Sequence, residues 1–256
     1  CDLALDLEPG RGLREVLTSP ERMDSLLINS SMTKESDNLA VFCCEESIEE
    51  VMDYDTVGPL TLLKELRGAY DCILIDMPRH LVPRHRRLLV SADQIFLAAD
   101  LTLVGIRDVQ RIMMAVSNLG TAAPIHAIAT HVGDGEPQIK RADFESNIKS
   151  KVKLYVPHDP KTIRQGAVKG KSVLAVGGEG TALAKAYRTI ASTMTGYTAV
   201  SSAASEEGFL NRFFAKKRGF IYVTKKRLIG KVLQYSIPVG CCFSFTIFDN
   251  RKRQYF

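Results

Sequence analysis

Short apolar runs alternate with amphipathic stretches along most of this chain. Leu39–Cys44 (LAVFCC), Asp71–Asp76 (DCILID), Gln94–Ala99 (QIFLAA), Pro124–Thr130 (PIHAIAT) and Val152–Val156 (VKLYV) read as strands. Cys72-Ile73-Leu74-Ile75 is a continuous apolar run, the pattern of a strand buried on both faces. Between them lie helix patterns. Leu13, Val16 and Leu17 share one face, Arg22–Ile28 follows Pro20, and Pro59–Arg67 starts at proline and stops before Gly68. A basic helix is predicted over His80–Ser91 after Pro83. Gly105–Leu119 carries an apolar stripe of Ile106, Val109, Ile112, Met113 and Val116, read as core. Ile139–Ile148, Lys161–Val168 and Thr181–Thr195 complete the helices. Strands alternating with helices predict a mainly parallel sheet covered on both faces.

After this body the pattern changes. Thr198–Gly208 (TAVSSAASEEG) reads as a linker. In 208–219, Phe209, Leu210, Phe213 and Phe214 fall on one helical face, with Lys216 and Lys217 among the basic residues. This is the pattern of a short helix lying in a membrane interface. Residues 220–256 are basic and aromatic, and are expected to be poorly ordered or a non-native extension. The apolar part of that tail, Ser236–Phe248, is too short to span a bilayer.

Charge sharpens this division. The 256 residues carry a net +5, but residues 208–256 hold 11 Lys/Arg and one acid, so the preceding body is acidic at −5. Basic tails suit anionic surfaces. The six cysteines form no CxxC pair and no zinc-type cluster with histidine, and those in apolar runs read as buried thiols in a reducing compartment.

The candidate chemistry centres on Asp76. It ends an apolar strand, and Pro78 follows two residues later. Ligands in open α/β sheets bind at the carboxyl ends of strands, and a carboxylate there can hold Mg²⁺, directly or through water, beside a phosphate. The competing reading is a cap on the next turn. Arg79 is placed to touch a phosphate or a partner's carboxylate, or to be a structural arginine. Arg84, Arg86 and Arg87 read as a solvated helix face. His80 and His85 lack a paired nucleophile, and nothing completes a metal set around His126 and His131.

A phosphate loop requires glycine five residues before its Gly-Lys-Ser/Thr. The single Gly-Lys-Ser of the chain is Gly170-Lys171-Ser172, where that earlier position is Gln165 and no strand precedes. It reads as a helix end and surface turn.

With these motifs placed, YDCILIDMPRHL followed by SADQIFLAADLTLVGIRDVQRI resembles the MinD/ParA class of deviant P-loop ATPases. It resembles more closely their TadZ/CpaE pilus-assembly branch, also in DLEPGRGLREVLTSPERMDSLL, LAVFCCEES and VPHDPKTIRQGAVKGKSV. The resemblance covers about residues 1–196. It implies a partial MinD/ParA-like domain over 1–197, with the phosphate loop and first strands, and in many members a receiver-like domain, lying before Cys1. Asp76 then matches the Walker B acid, placing Mg²⁺ through water. Pro157 and Asp159 match the loop bordering the nucleotide base, and Pro78 belongs to the same site. Thr130 stands where members usually have an adenine-reading Asn, and offers one hydroxyl instead of an amide's donor and acceptor. The 208–219 segment is similar to MinD's membrane-targeting helix.

The implied cofactors are ATP and Mg²⁺, with weak or no hydrolysis. The implied partners are pilus or secretion machinery proteins, a second copy of the chain and an anionic membrane surface, not nucleic acid. The implied place is the cytoplasm, peripheral to the inner face of the membrane. The function implied first is positioning of a Flp/Tad pilus machine by a nucleotide-dependent dimer. The alternative is a partitioning or division-site ATPase of the MinD/ParA type.

Overall fold

A computed structural model describes residues 6–8, 10–43, 54–133 and 139–195, together with the backbone of 228–233 and 244–248. Helix α1 (Gly12–Thr18) buries Leu13, Val16 and Leu17, as their spacing predicts. The helix expected over Arg22–Ile28 is instead a 3-10 turn (Pro20–Arg22) followed by α2 (Ser25–Ser30). Asp24 is the reason. Its backbone is extended, and its carboxylate accepts the Leu27 N–H at 2.8 Å, so the helix restarts there. Strand β1 (Thr33–Ser36) is polar and was not legible; pairing with β2 (Leu39–Phe42) across the Asp37-Asn38 turn makes it a strand.

Helix α3 (Val57–Ala69) leads into β3 (Cys72–Asp76). The basic helix expected from Pro83 is shorter, preceded by a 3-10 turn (Arg79–Leu81) and reduced to α4 (Arg86–Val90). Tyr54 accounts for this. Arg84 donates to the Tyr54 carbonyl and lies 4.7 Å over its ring. The buried His85 stacks on the same ring at 5.6 Å, with Nε2 2.7 Å from the hydroxyl. Arg84 is therefore engaged in a contact, while Arg86 and Arg87 are exposed as expected.

Beyond α4 the expected alternation holds. It runs β4 (Gln94–Asp100), α5 (Leu103–Ser117), β5 (Ile125–Val132), α6 (Arg141–Ile148) and β6 (Val152–Pro157), then α7 (Pro160–Lys169), α8 (Val173–Gly177) and α9 (Ala182–Thr195). Gly170, at φ +57°, closes α7 in the left-handed region, and the Ser172 hydroxyl accepts the Ala175 N–H to start α8. Gly170-Lys171-Ser172 is thus a junction between helices. The start of α5 packs directly on the end of β4: a Cβ on Gly105 would stand 2.1 Å from the Asp100 carbonyl oxygen.

Two stretches of the basic tail join the sheet. They are β7 (Leu228–Leu233) and β8 (Ser244–Phe248). Residues 198–219, which hold the expected linker and amphipathic helix, lie outside the described residues. The strand order is β1-β2-β8-β3-β7-β4-β5-β6. Strands β3, β7, β4, β5 and β6 run parallel, and β8 is antiparallel to both of its neighbours. The crossover from β3 through α4 to β4 skips one strand position, and β7 fills it. Buried main-chain groups need partners, so that position cannot stay empty.

Alternating residues of the sheet feed two core layers. Ile95 and Leu97 pack with Leu62, Leu66, Ile106 and Val109 on one face. Phe96 and Ile128 pack with Leu183, Ala186 and Met194 of α9 on the other. On the α6 side, the Glu145 carboxylate ties helix to strand. It accepts from the Val152 N–H at 3.0 Å, the Tyr155 hydroxyl at 3.1 Å and Lys151 Nζ at 2.7 Å.

Gly230 pairs with Leu74 on one side and Gln94 on the other. Proline there removes a ladder donor from a central strand. Gly230→Pro is expected to lower unfolding free energy by about 2–4 kcal/mol in urea titrations. It should also strip hydrogen-exchange protection from 72–76 and 94–97. Unchanged protection would show that β7 does not occupy this position.

Candidate functional site

The carboxyl ends of the parallel strands carry most of the sequence-predicted site residues, arranged as two poles. The first is at the end of β3. Asp76 is half-buried, and burial pushes its carboxyl above the ordinary aspartate value. Met77 is fully buried, and Pro78 (φ −58°, ψ 144°) turns the chain into the 3-10 turn. Arg79, in that turn, reaches α5 and pairs with Asp108 Oδ1. The Asp108 side chain is only 3% exposed, whereas that of Arg79 is 53% exposed. A buried carboxylate therefore fixes a guanidinium whose remaining surface faces outward beside the Asp76 strand.

The second pole is at the ends of β4, β5 and β6. Asp100 closes β4. Its Oδ1 accepts the Thr130 hydroxyl, and His131 Nδ1 lies 2.8 Å from the same oxygen. His131 holds φ +52°, a conformation uncommon for a residue with a Cβ. Its ring lies 5.4 Å from that of His158, whose N–H donates to the Val132 carbonyl at 2.9 Å. Pro157 ends β6 in register with Val132. Asp159 caps α7, accepting the Thr162 N–H at 3.0 Å. Hydrogen bonds from Thr162 hold its carboxyl below the ordinary value.

The pairing register separates the poles. Asp76 lies level with Val232, and Val232 with Phe96. Asp100 is four residues further along β4, roughly 13 Å by strand rise, and two strand spacings away, about 10 Å. No single small group can touch both; an extended ligand lying across the edge can.

Asp76, Pro78 and Arg79 thus stand together, as do Thr130, Pro157 and Asp159. Asp100 and Asp108 were missed. Asp100 had the same signal as Asp76, an acid closing an apolar run (FLAAD). Asp108 interrupts the apolar stripe of α5, where only a partnered charge is tolerated. His85 is a core histidine. His126 packs on Phe96 at 5.0 Å, and burial, then Lys153, lowers its pKa. Among the described residues no group of three or more His, Cys, Asp or Glu could hold a metal. Mg²⁺ makes no such demand: it keeps much of its water and takes one or two carboxylates plus ligand phosphates. Asp76 is suited to that role through water, since a nearby cation would stabilise the charged form that burial disfavours.

No known protein family and no curated protein matches the sequence. Solved structures do match. The septum site-determining protein MinD complexed with Mg-ADP, from Pyrococcus horikoshii OT3, superposes with a TM-score of 0.62 at 21% identity, covering 75% of this chain and 76% of that one. A ParA family ATPase from Chlorobium tepidum TLS gives 0.61 at 14% identity, covering 72% and 76%. MinD from Aquifex aeolicus gives 0.54 at 15% identity, covering 78% and 82%. The fold is that of the MinD/ParA ATPases. Within this MinD/ParA fold both poles lie on the edge where ligands bind in open α/β sheets. No helix among the described residues is long and apolar enough to cross a membrane.

Because burial raises the Asp76 pKa, its contribution to stability is full below the unfolded-state value and is lost as pH rises through the folded-state value. Asp76→Asn removes this penalty. At pH 7 it is expected to raise the unfolding free energy by about 1 kcal/mol and to flatten the decline between acid and neutral pH. Urea midpoints at several pH values measure both, and a lower midpoint at pH 7 would contradict the assignment.

Proposed function

We propose that this chain is a positioning protein of the MinD/ParA type, acting as a nucleotide-dependent dimer that recruits partners rather than releasing a chemical product. The observation that carries this reading is Asp76, a carboxylate closing a buried strand at the ligand edge of a MinD/ParA fold. Mg²⁺, when bound with ATP, would supply charge neutralisation at the phosphates. Asp76 would orient it through water, and Arg79, braced by Asp108, would meet a phosphate or a carboxylate of the second copy. Pro157 and Asp159 would border the base, with the Asp159 cap fixing the shape of that loop.

Partitioning or division-site placement is the reading that the fold supports best. Placement of a Flp/Tad pilus machine is the second, favoured by the IDMPR step after β3 and by the VPHDPKTIRQGAVKGKSV stretch. On that reading the partners are pilus or secretion proteins. The 256 residues contain no Gly-x4-Gly-Lys-Ser/Thr loop, so the proposal includes binding without turnover. Peripheral attachment at the inner face of a membrane belongs to the same reading, through Phe209, Leu210, Phe213, Phe214, Lys216 and Lys217.

Light scattering on the full chain tests the dimer. Mg-ATP is expected to shift monomer towards dimer, Asp76→Ala to abolish the shift, and phosphate release to stay at background for both. Turnover that Asp76→Ala abolishes would replace the scaffold with an ATPase, and an unchanged mass with Mg-ATP would remove the nucleotide-dependent dimer. Sedimentation with anionic vesicles tests attachment: wild type is expected in the pellet and Phe213→Glu in the supernatant. Wild type left in the supernatant would end the membrane reading.

A further inference from the structure

Helix α5 carries two stripes. The inner one, Ile106, Val109, Ile112 and Val116, is core. The outer one is Leu103, Arg107, Arg111 and Met114, on successive turns of one exposed face. Leu103 is 70% exposed, Val104 beside it 61% and Met114 66%. A solvated face ordinarily mixes charges of both signs. On α4 and α5 the exposed charges are arginines only, Arg86, Arg87, Arg107 and Arg111. Among the described residues none of these four has a hydrogen bond or an ion pair. The single acid of the two helices, Asp108, is buried and paired with Arg79. Between Lys64 and Lys140 the chain has seven arginines and no lysine, although the body as a whole carries a net negative charge. Apolar side chains beside arginine and methionine, with lysine and acids depleted, are the composition of a protein interface.

We propose that the outer face of α5, with α4 packed beside it, docks an acidic amphipathic segment of a partner protein. This rests on the recruiting role proposed above and adds the partner's chemistry. Arg107 and Arg111 are one turn apart. Two carboxylates one turn apart on a partner helix can therefore each meet a guanidinium in the two-pronged geometry that arginine favours. Leu103 and Met114 stand about 16 Å apart along the helix, with the arginines between them. Apolar residues of the partner three turns apart would cover both ends. A nucleic acid offers phosphates to the arginines but leaves Leu103 and Met114 facing water. A bilayer takes apolar side chains gathered on one face with cations on the other, whereas here the cations lie within the apolar stripe.

The test uses the full chain without nucleotide. The probe is a helical peptide as long as α5, with leucines on one stripe and glutamates one turn apart beside them. The methyl NMR signal of Met114, assigned through Met114→Leu, localises binding, so peptide held by the basic tail does not count. The peptide is expected to move this signal in the micromolar range. Arg107→Glu/Arg111→Glu should need at least about ten times more peptide, and should take the counterpart with lysine in place of glutamate. Leu103→Ser/Val104→Ser, which keeps the arginines, should also weaken binding about tenfold. Urea midpoints check that both variants fold. A Met114 signal that the acidic peptide leaves in place, or an equal response in either variant, would overturn the inference. Duplex DNA or phosphatidylglycerol vesicles moving the signal as readily as the peptide would overturn it in favour of a phosphate-binding surface. A failed peptide with Mg-ATP still shifting the mass would remove this surface and leave the proposed dimer standing. The expected Met114 response with no shift in mass would do the reverse.

Discussion

The main-chain groups of β3 and β4 impose the requirement on which the rest of the sheet depends. Both strands are buried, each needs hydrogen-bonding partners on two sides, and the chain between them returns one strand position too far. Strand β7 meets both demands at once, pairing with β3 over Cys72–Asp76 and with β4 over Gln94–Leu97. Through it the β1–β3 side and the β4–β6 side become one sheet. The register that places Asp76 and Asp100 at different heights is set by the same strand. The spacing of the two poles is thus a property of backbone pairing, and no side chain at either pole has to maintain it.

Much of this was legible before the structure. Apolar runs such as CILID and QIFLAA are too continuous for a half-exposed strand, and the stripe through Ile106, Val109, Ile112 and Val116 has one period only. Shorter elements were not legible, because tertiary contacts decide them. The polar TKES becomes a strand because β2 lies beside it. His85 leaves the helix face predicted for its neighbours because Tyr54 offers a ring and a hydroxyl. The strands at 228–233 and 244–248 were not legible for a related reason: basic and aromatic composition gives no sign of a core segment, and long-range pairing decides their place.

The candidate site was half legible. Asp76 and Arg79 were found by their place after an apolar run. Asp108 could not be read as the partner of Arg79, 29 positions away, since only the packing of α5 against the end of β4 brings them together. The pairing of Thr130 with Asp100 was not legible. A hydroxyl can donate to a base or to a neighbouring carboxylate, and sequence spacing does not distinguish them. At both poles the structure adds an acid that changes what the named residue can do. At the first it holds an arginine in place; at the second it takes the hydroxyl of Thr130.

Cys72 pairs with Leu228, and 156 positions of chain separate the two. Emergence from the ribosome therefore has a direct bearing on this fold. Helices α1 to α9 and strands β1 to β6 are all synthesised while the central position is still without its strand. The two sides of the sheet join only when residues 228–233 are available. Pairings between residues so far apart form slowly, and until they form, two buried strand edges offer their hydrogen bonds to any chain nearby. The order of synthesis thus makes residues 228–233 the step that commits the protein to its native sheet, and the interval before it the period of greatest risk of self-association.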